Sequence, residues 1–143
     1  MPHQVSVFLE NRPGRLGQVT GVLAQIGVNI RAMTLASSSA GWGVLNLLVD
    51  QPEKACRALC ASGLSAVLRE IVAVEMKDQP GGLHDVLAHL AGQGINIENA
   101  YGTVLREGNS AILIIDVGNI PRAMELLGSS GIRTLTAEQV YAI

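Results

Sequence analysis

The chain has 143 residues and a formal net charge of −2, with 48% hydrophobic, 15% charged and 3% aromatic residues. Lysine and arginine occur only singly, so the sequence offers no cationic track for phosphates. Because aromatic residues are few, stacking surfaces for bases are also missing, and we expect no nucleic-acid partner. No apolar run approaches the roughly 18 residues that a membrane-spanning helix needs. The N-terminal residues show no signal-peptide pattern, and we expect a cytoplasmic protein.

The first half of the chain predicts alternating strands and helices. Apolar residues at 5–9 indicate a buried strand, and a Pro-Gly turn follows at 11–14. After the turn, four apolar residues recur at helical spacing, and we expect all of them to lie under a sheet: Leu16, Val19, Leu23 and Ile26. The remaining elements are predicted as strands 29–36 and 44–49, a helix from Pro52 to about Ser62, and a strand from Val67.

The second half repeats the first at an offset of 67 residues. Within 11–30, nine positions are identical in the second copy, where unrelated sequence would give roughly one match. They are Pro13, Gly14, Leu16, Val19, Leu23, Ala24, Gly27, Asn29 and Ile30. The repeat predicts elements at 72–76, 83–91, 96–104, 111–117, 121–127 and 134–141, with Leu83, Val86, Leu87 and Leu90 buried.

The element order strand-helix-strand-strand-helix-strand, present twice, predicts the fold class and the domains. It indicates an α+β protein of two ferredoxin-like units, residues 1–70 and 71–143. Each unit is expected to carry a four-stranded antiparallel sheet with its helices on one face. A unit of this size buries only about 60% of its unfolded surface. The apolar content exceeds what two such units can bury, so we expect a homodimer.

The turn at 11–16 has the residues needed to hold a small anion. It ends a strand and opens a helix, whose first N–H groups lack partners inside the helix and suit a carboxylate. Gly14 allows close approach to the backbone, and Asn11 offers both a donor and an acceptor. Pro-Gly turns more often have a purely structural role, but repetition of this turn together with Gly-x-Asn-Ile favours a binding site.

The runs Glu10-Asn11-Arg12-Pro13-Gly14-Arg15-Leu16 and Gly27-Val28-Asn29-Ile30 resemble the ACT domain. This amino-acid-sensing module occurs in aspartokinase, phosphoglycerate dehydrogenase and the acetohydroxyacid synthase regulatory subunit. The resemblance covers nearly all of the chain, as two tandem copies. It implies that the two asparagines hold an effector amino acid, with a neighbouring domain closing the site. Leu9 stands where the serine-regulated dehydrogenase has histidine, which argues against serine as the ligand.

The resemblance and the repeat together give the expected ligand-binding positions. In copy two, Asp78 replaces the first asparagine and would repel a carboxylate, so we expect weaker or different binding there. Arg12 and Arg15 could attract the carboxylate or simply face solvent, and solvent is the favoured expectation. The full set is Asn11, Arg12, Pro13, Gly14, Arg15, Leu16, Asn29 and Ile30 in copy one, and Asp78, Gln79, Pro80, Gly81, Gly82, Leu83, Asn96 and Ile97 in copy two.

The remaining reactive residue types do not form a catalytic or metal-binding pattern. Cys56 and Cys60 would share a helical face, and core packing as reduced thiols is favoured because no histidine lies at ligand spacing. His84 and His89 lack acidic or cysteine partners and are expected at the surface or at helix ends. We therefore expect no cofactor, no metal and no enzyme activity.

These observations predict a non-enzymatic regulatory protein that binds a free amino acid at interfaces between ACT domains. The alternative is a regulatory subunit that acts in trans on a larger amino-acid biosynthetic enzyme such as acetohydroxyacid synthase. That subunit has an N-terminal domain similar to copy one, but its C-terminal half does not usually repeat the Pro-Gly turn. The repeated turn therefore favours the first prediction.

Overall fold

The structure, a computed structural model, describes residues 1–105 and 108–143. It divides into two compact units. The N-terminal unit is His3–Arg69 together with Ala142, and the C-terminal unit is Glu70–Tyr141 together with Met1, Pro2 and Ile143. Within the described ranges, no helix has both the length and the apolar character that crossing a bilayer requires.

The N-terminal unit has the predicted element order. Its central strand β1 pairs antiparallel with β3, which pairs antiparallel with β2, and the sheet order is β2-β3-β1-β4. This arrangement confirms the predicted ferredoxin-like fold for this unit. The elements are β1 (His3–Glu10), α1 (Arg15–Gln25), β2 (Ile30–Ser37), β3 (Trp42–Val49), α2 (Pro52–Ala61) and β4 (Ser65–Glu70).

The core of this unit lies between the sheet and its two helices. Alternate residues of β1 face the helices, and the same core takes Val19 and Leu23 from α1 and Leu59 from α2. Leu16 and Ile26 pack at its margin and are only partly buried. Burying one such aliphatic side chain contributes about 1.5–3 kcal/mol, which explains the helical spacing of these residues. The β1 residues of this core are Val5, Val7 and Leu9.

The opposite face of the same sheet carries a polar group of three side chains. The Ser6 hydroxyl donates to Asn46 Oδ1 at 2.6 Å, and Gln4 Nε2 donates to the same oxygen at 3.4 Å. Gln4 and Ser6 are buried, so these bonds offset the cost of removing their polar atoms from water. The alternation along β1 therefore separates an apolar face from a hydrogen-bonded one.

The C-terminal unit repeats most of this arrangement around a smaller sheet. Its three strands have the order β5-β7-β6, with both pairs antiparallel. Val86 and Leu90 are buried as expected and Leu87 packs against the core, but Leu83 is 44% exposed, contrary to prediction. Leu83, in the first turn of α3, lies outside the core that takes Val86 and Leu90. The elements are β5 (Val72–Lys77), α3 (Gly82–Gly92), β6 (Ile97–Val104), β7 (Ser110–Val117), α4 (Ile120–Ser129) and α5 (Ala137–Tyr141).

The predicted strand at 134–141 is wrong. Only one bridge, between Val74 and Thr134, stands where the fourth strand was expected, and the chain then enters the short helix α5. The Thr136 N–H donates to Gln139 Oε1 at 2.9 Å, and the Gln139 N–H donates to Thr136 Oγ1 at 3.3 Å. This reciprocal capping box starts a helix and overrides the apolar pattern of the segment.

The start of α3 approaches β5 closely. Gly82 is buried, and a Cβ added to it would collide with the carbonyl oxygen of Lys77. A neighbouring backbone atom cannot yield as a flexible side chain would. Gly92, at the other end of the same helix, has open space around its Cα.

Replacing Gly82 with alanine should destabilise the protein by about 1–3 kcal/mol, because the helix start must move away from β5. The matched variant Gly92→Ala should be neutral or stabilising by up to about 1 kcal/mol, since alanine is the better helix former. Urea unfolding followed by circular dichroism measures both. Equal midpoints for the two variants would contradict the close packing of α3 on β5.

Candidate functional site

The turn between β1 and α1 is held by backbone hydrogen bonds. The Asn11 N–H donates to the Gly41 carbonyl at 2.8 Å, and the Arg12 N–H donates to the Glu10 carbonyl at 2.9 Å. Gly14 precedes the helix with a φ of 87°, a left-handed conformation that glycine adopts at little cost. The positions of Pro13 and Gly14 at the turn are therefore set by backbone geometry.

The turn between β5 and α3 repeats this geometry. The Asp78 N–H donates to the Asn109 carbonyl at 2.6 Å, and the Gln79 N–H donates to the Lys77 carbonyl at 3.0 Å. Gly81, which follows Pro80, has a φ of 86° and precedes its helix as Gly14 does. The two copies thus share one turn conformation as well as one sequence pattern.

Both helices begin without a side-chain cap. Gly14 and Gly81 are the N-cap residues, and neither helix start receives a side-chain hydrogen bond. The first N–H of each helix is taken within the turn, since the Arg15 N–H donates to the Arg12 carbonyl at 3.3 Å and the Gly82 N–H donates to the Gln79 carbonyl at 3.0 Å. The remaining N–H groups of the first turn and the helix dipole are what favour an anion. The first turn of α1 has no acidic residue, whereas that of α3 contains Asp85. The N-terminal unit is consequently the more favourable of the two for a carboxylate.

The side chains beside the first turn form an ionic group. Glu10 accepts from Arg12 Nε at 2.8 Å and lies 3.7 Å from Arg15 Nη2. Arg15 Nη1 also donates to Gln18 Oε1 at 3.0 Å. Arg12 faces solvent as expected, with 59% of its side chain exposed, whereas Arg15 is only 31% exposed. Glu10 holds both side chains beside the turn. Two guanidinium groups against one carboxylate leave a local charge of about +1.

A small crevice lies directly on this turn. Its volume is about 50 Å³, and its walls include Asn11, Arg12, Leu16, Leu35 and Ser37. Ligand sites that enclose a small molecule usually measure about 300–1,000 Å³. The crevice can therefore supply only part of an enclosed site, and a second surface is needed to complete it.

The second group of predicted site residues lies far from the turn. Ile30 pairs with Val49 at one end of the sheet, whereas Ser37 pairs with Gly43 at the end where the turn lies. At about 3.3 Å per residue, Asn29 is roughly 20 Å or more from Asn11 within the unit. Asn96 and Ile97 are likewise at the far end of β6 from Asp78. One unit therefore does not bring Asn11 close to Asn29, or Asp78 close to Asn96.

Asn29 instead forms part of the loop that leads into β2. Its N–H donates to Asp50 Oδ1 at 2.9 Å, and the Asp50 N–H donates to the Asn29 carbonyl at 3.1 Å. The Asn29 residue is exposed. Asp50 therefore fixes the backbone of Asn29, and the residue stays accessible to solvent.

Each unit also has a wider cleft that the sequence patterns did not predict. In the N-terminal unit it measures about 230 Å³ and includes Phe8, Arg15, Trp42 and Leu64. In the C-terminal unit the equivalent cleft measures about 450 Å³. Its walls include Glu75, Lys77, Gly82, Ser110 and Arg133.

The difference between the two clefts follows from the residues at equivalent positions. Glu10 pairs with Trp42, and its repeat equivalent Lys77 pairs with Ser110. A serine therefore takes the place of the tryptophan in the second copy. Gly82 likewise stands at the position of Arg15, so the C-terminal cleft loses two large side chains. Its charges are mixed, and Arg133 Nη1 lies 3.1 Å from Glu75 Oε2. The offset of 67–68 residues was the signal that could have revealed this contrast.

The cysteines and histidines do not combine into a metal site within residues 1–105 and 108–143. Cys56 packs against the core, but Cys60 is exposed, so core packing was predicted correctly only for the first. The Cys56 and Cys60 thiols donate to the Ala66 carbonyl at 3.6 and 3.3 Å, respectively. Burial raises the pKa of the Cys56 thiol, and the neighbouring Cys60 thiol raises it further. His84 is exposed, and His89, in the same helix, contacts the Ser130 hydroxyl.

Comparisons with known proteins agree with this geometry. The family model described as ACT domain pair matches residues 1–142. The crystal structure of protein BT0572 from Bacteroides thetaiotaomicron is 32% identical, with 99% of this chain and 96% of that chain covered and a TM-score of 0.91. No curated protein sequence matches significantly.

Two more distant structures share the fold. The ligand-free regulatory subunit of aspartate kinase from Thermus thermophilus is 19% identical, covers 89% of this chain and 90% of its own, and has a TM-score of 0.64. The corresponding subunit from Thermus flavus is 18% identical, with 90% and 92% covered and a TM-score of 0.60. The match of the family model along almost the whole sequence decides the assignment, and the chain belongs to the ACT domain pair family.

Proposed function

We propose that this protein is a non-enzymatic regulator that binds a free amino acid at the 11–16 turn. The observation that carries the proposal is the left-handed Gly14, which leaves the start of α1 without a side-chain cap. Arg12 and Arg15 add a local positive charge beside it. A helix start of this kind binds carboxylates through its N–H groups and its dipole.

An amino acid fits this turn because it joins a carboxylate and an ammonium group on one carbon. Its carboxylate would meet the N–H groups near Gly14 and Arg15. Its ammonium group would meet oxygen atoms of Asn11, whose residue is exposed and whose N–H alone is committed to Gly41. Few aromatic residues line the turn itself, which favours a small or aliphatic ligand side chain.

The small size of the crevice supports a site shared between copies of the chain. A volume of about 50 Å³ cannot enclose an amino acid, so a second surface must close it. A homodimer would supply that surface. Asn29, far from Asn11 within its own unit, would contribute only from the second copy.

A regulatory subunit acting in trans on a larger biosynthetic enzyme is the alternative. The uncapped turn would then bind an amino acid that controls that enzyme. A stable large partner recovered with the protein from its own cells would favour this alternative. A protein that binds its amino acid without such a partner would favour the stand-alone regulator.

Replacing Asn11 with alanine should weaken amino-acid binding by about 1–3 kcal/mol, because a hydrogen bond enclosed in the complex is lost. Isothermal titration against the amino acids that raise the melting temperature measures this change. Asp78→Ala is the matched control at the equivalent turn, and its effect should be smaller. A wild-type protein that binds none of the twenty amino acids would contradict the proposed role in amino-acid sensing.

Sedimentation equilibrium at micromolar protein concentration should give twice the mass of one chain. The physical reason is the apolar surface that remains exposed, which includes Met33 and Leu35 on the edge strand β2. Met33→Lys combined with Leu35→Lys should shift the protein toward monomer. A single-chain mass for the wild type would contradict the shared site.

A further inference from the structure

The only phenylalanine and the only tryptophan of the chain line the same cleft. Phe8 is 53% exposed and Trp42 is 55% exposed. Large aromatic side chains carry more apolar surface than other residues, and leaving two of them in water forfeits the stabilisation that their burial would give. Their shared exposure in one cleft suggests a use that the isolated fold does not provide.

The strand register makes the two aromatic residues neighbours on the sheet. Phe8 pairs with Val44, and Glu10 pairs with Trp42, so the aromatic residues are diagonal neighbours on one face of β1 and β3. Diagonal neighbours lie about 7–8 Å apart, within reach of aromatic side chains. Leu64, from the turn after α2, lines the same cleft and extends the apolar surface.

The repeat shows that the fold does not need these rings. In the C-terminal unit, Glu75 stands where Phe8 does and Ser110 stands where Trp42 does. That unit forms the same strand–turn–helix arrangement with neither aromatic residue. The aromatic pair is therefore a property of the N-terminal cleft alone and not a requirement of the unit.

Arg15 gives the same cleft a cationic end. Its side chain is 31% exposed, and its position is fixed by Gln18 Oε1 at 3.0 Å. Its carboxylate neighbour Glu10 is 3.7 Å away and is shared with Arg12, which approaches more closely at 2.8 Å. The guanidinium group is thus positioned but only weakly neutralised, and it can accept a second anion.

We propose that this cleft binds an aryl carboxylate. The ring would lie against Phe8, Trp42 and Leu64, and the carboxylate would pair with Arg15. The cleft volume of about 230 Å³ suits a single six-membered ring with a short acid chain. The cleft adjoins the crevice at the turn, and Arg15 lines both. The proposal goes beyond amino-acid binding at the turn because Phe8, Trp42 and Leu64 line only the cleft, whereas Leu35 and Ser37 line only the crevice.

Trp42 provides a direct readout, since it is the only tryptophan in the chain. Tryptophan fluorescence is titrated with 3-phenylpropionate, L-phenylalanine, phenethylamine and propionate. The proposal predicts saturable quenching or a spectral shift with 3-phenylpropionate. Phenethylamine, which lacks the carboxylate, and propionate, which lacks the ring, should bind at least 10-fold more weakly. L-phenylalanine shows whether the natural source is an aromatic amino acid or an acid without the amino group.

Variants separate this cleft from the turn. Arg15→Gln should weaken 3-phenylpropionate binding about 10-fold or more, as expected for loss of a charge-assisted hydrogen bond. Phe8→Ala should weaken it by about 5-fold or more through lost ring contact. Arg57→Gln, an exposed arginine on α2, is the matched control and should leave it unchanged. Asn11→Ala should also leave it unchanged, although it weakens amino-acid binding at the turn.

Three results would overturn the proposal. The first is no fluorescence response to either 3-phenylpropionate or L-phenylalanine. The second is equal affinity for phenethylamine, which would remove the role of Arg15. The third is a Trp42 spectrum that changes with protein concentration alone and is then insensitive to ligand, which would show that a second copy of the chain covers the aromatic pair.

Discussion

The left-handed glycine at each strand–helix turn is the constraint on which both units depend. Gly14 and Gly81 have φ values of 87° and 86°, and ψ is −11° in both. Every described residue with a positive φ is a glycine, so the chain reserves this conformation for the residue that tolerates it. The glycine turns the chain from strand to helix and leaves the helix start without a side-chain cap.

The two turns share a backbone conformation but differ in the charges that surround them. The first is flanked by Arg12 and Arg15 around one carboxylate, whereas the second has Asp85 in the first turn of its helix. The same divergence affects the clefts, where Trp42 is matched by Ser110. The repeat therefore keeps the backbone geometry of the turn, while substitutions change the charges and side chains around each copy.

The fold could be read largely from the sequence, because the repeat fixed the element order and helical spacing identified Val19, Leu23, Val86 and Leu90 as core. The helix in place of the predicted strand at 134–141 was not foreseen, although the spacing of Thr136 and Gln139 is a helix-start signal that competes with strand pairing. The conformation of the turn could be predicted because its residues are contiguous, while the binding of a ligand there stays a prediction. The distance between Asn11 and Asn29 depends on strand register, and the clefts depend on side chains that are far apart in sequence. No local sequence pattern encodes either feature.

The central claim is that the open helix start of α1 receives the carboxylate of an amino acid. The most direct measurement is a nitrogen–proton correlation spectrum recorded with and without the amino acid that stabilises the protein. We expect the largest shifts at the backbone amides of Arg15, Leu16 and Gly17, with smaller changes at the equivalent positions of α3. Shifts confined to residues away from both turns would contradict it.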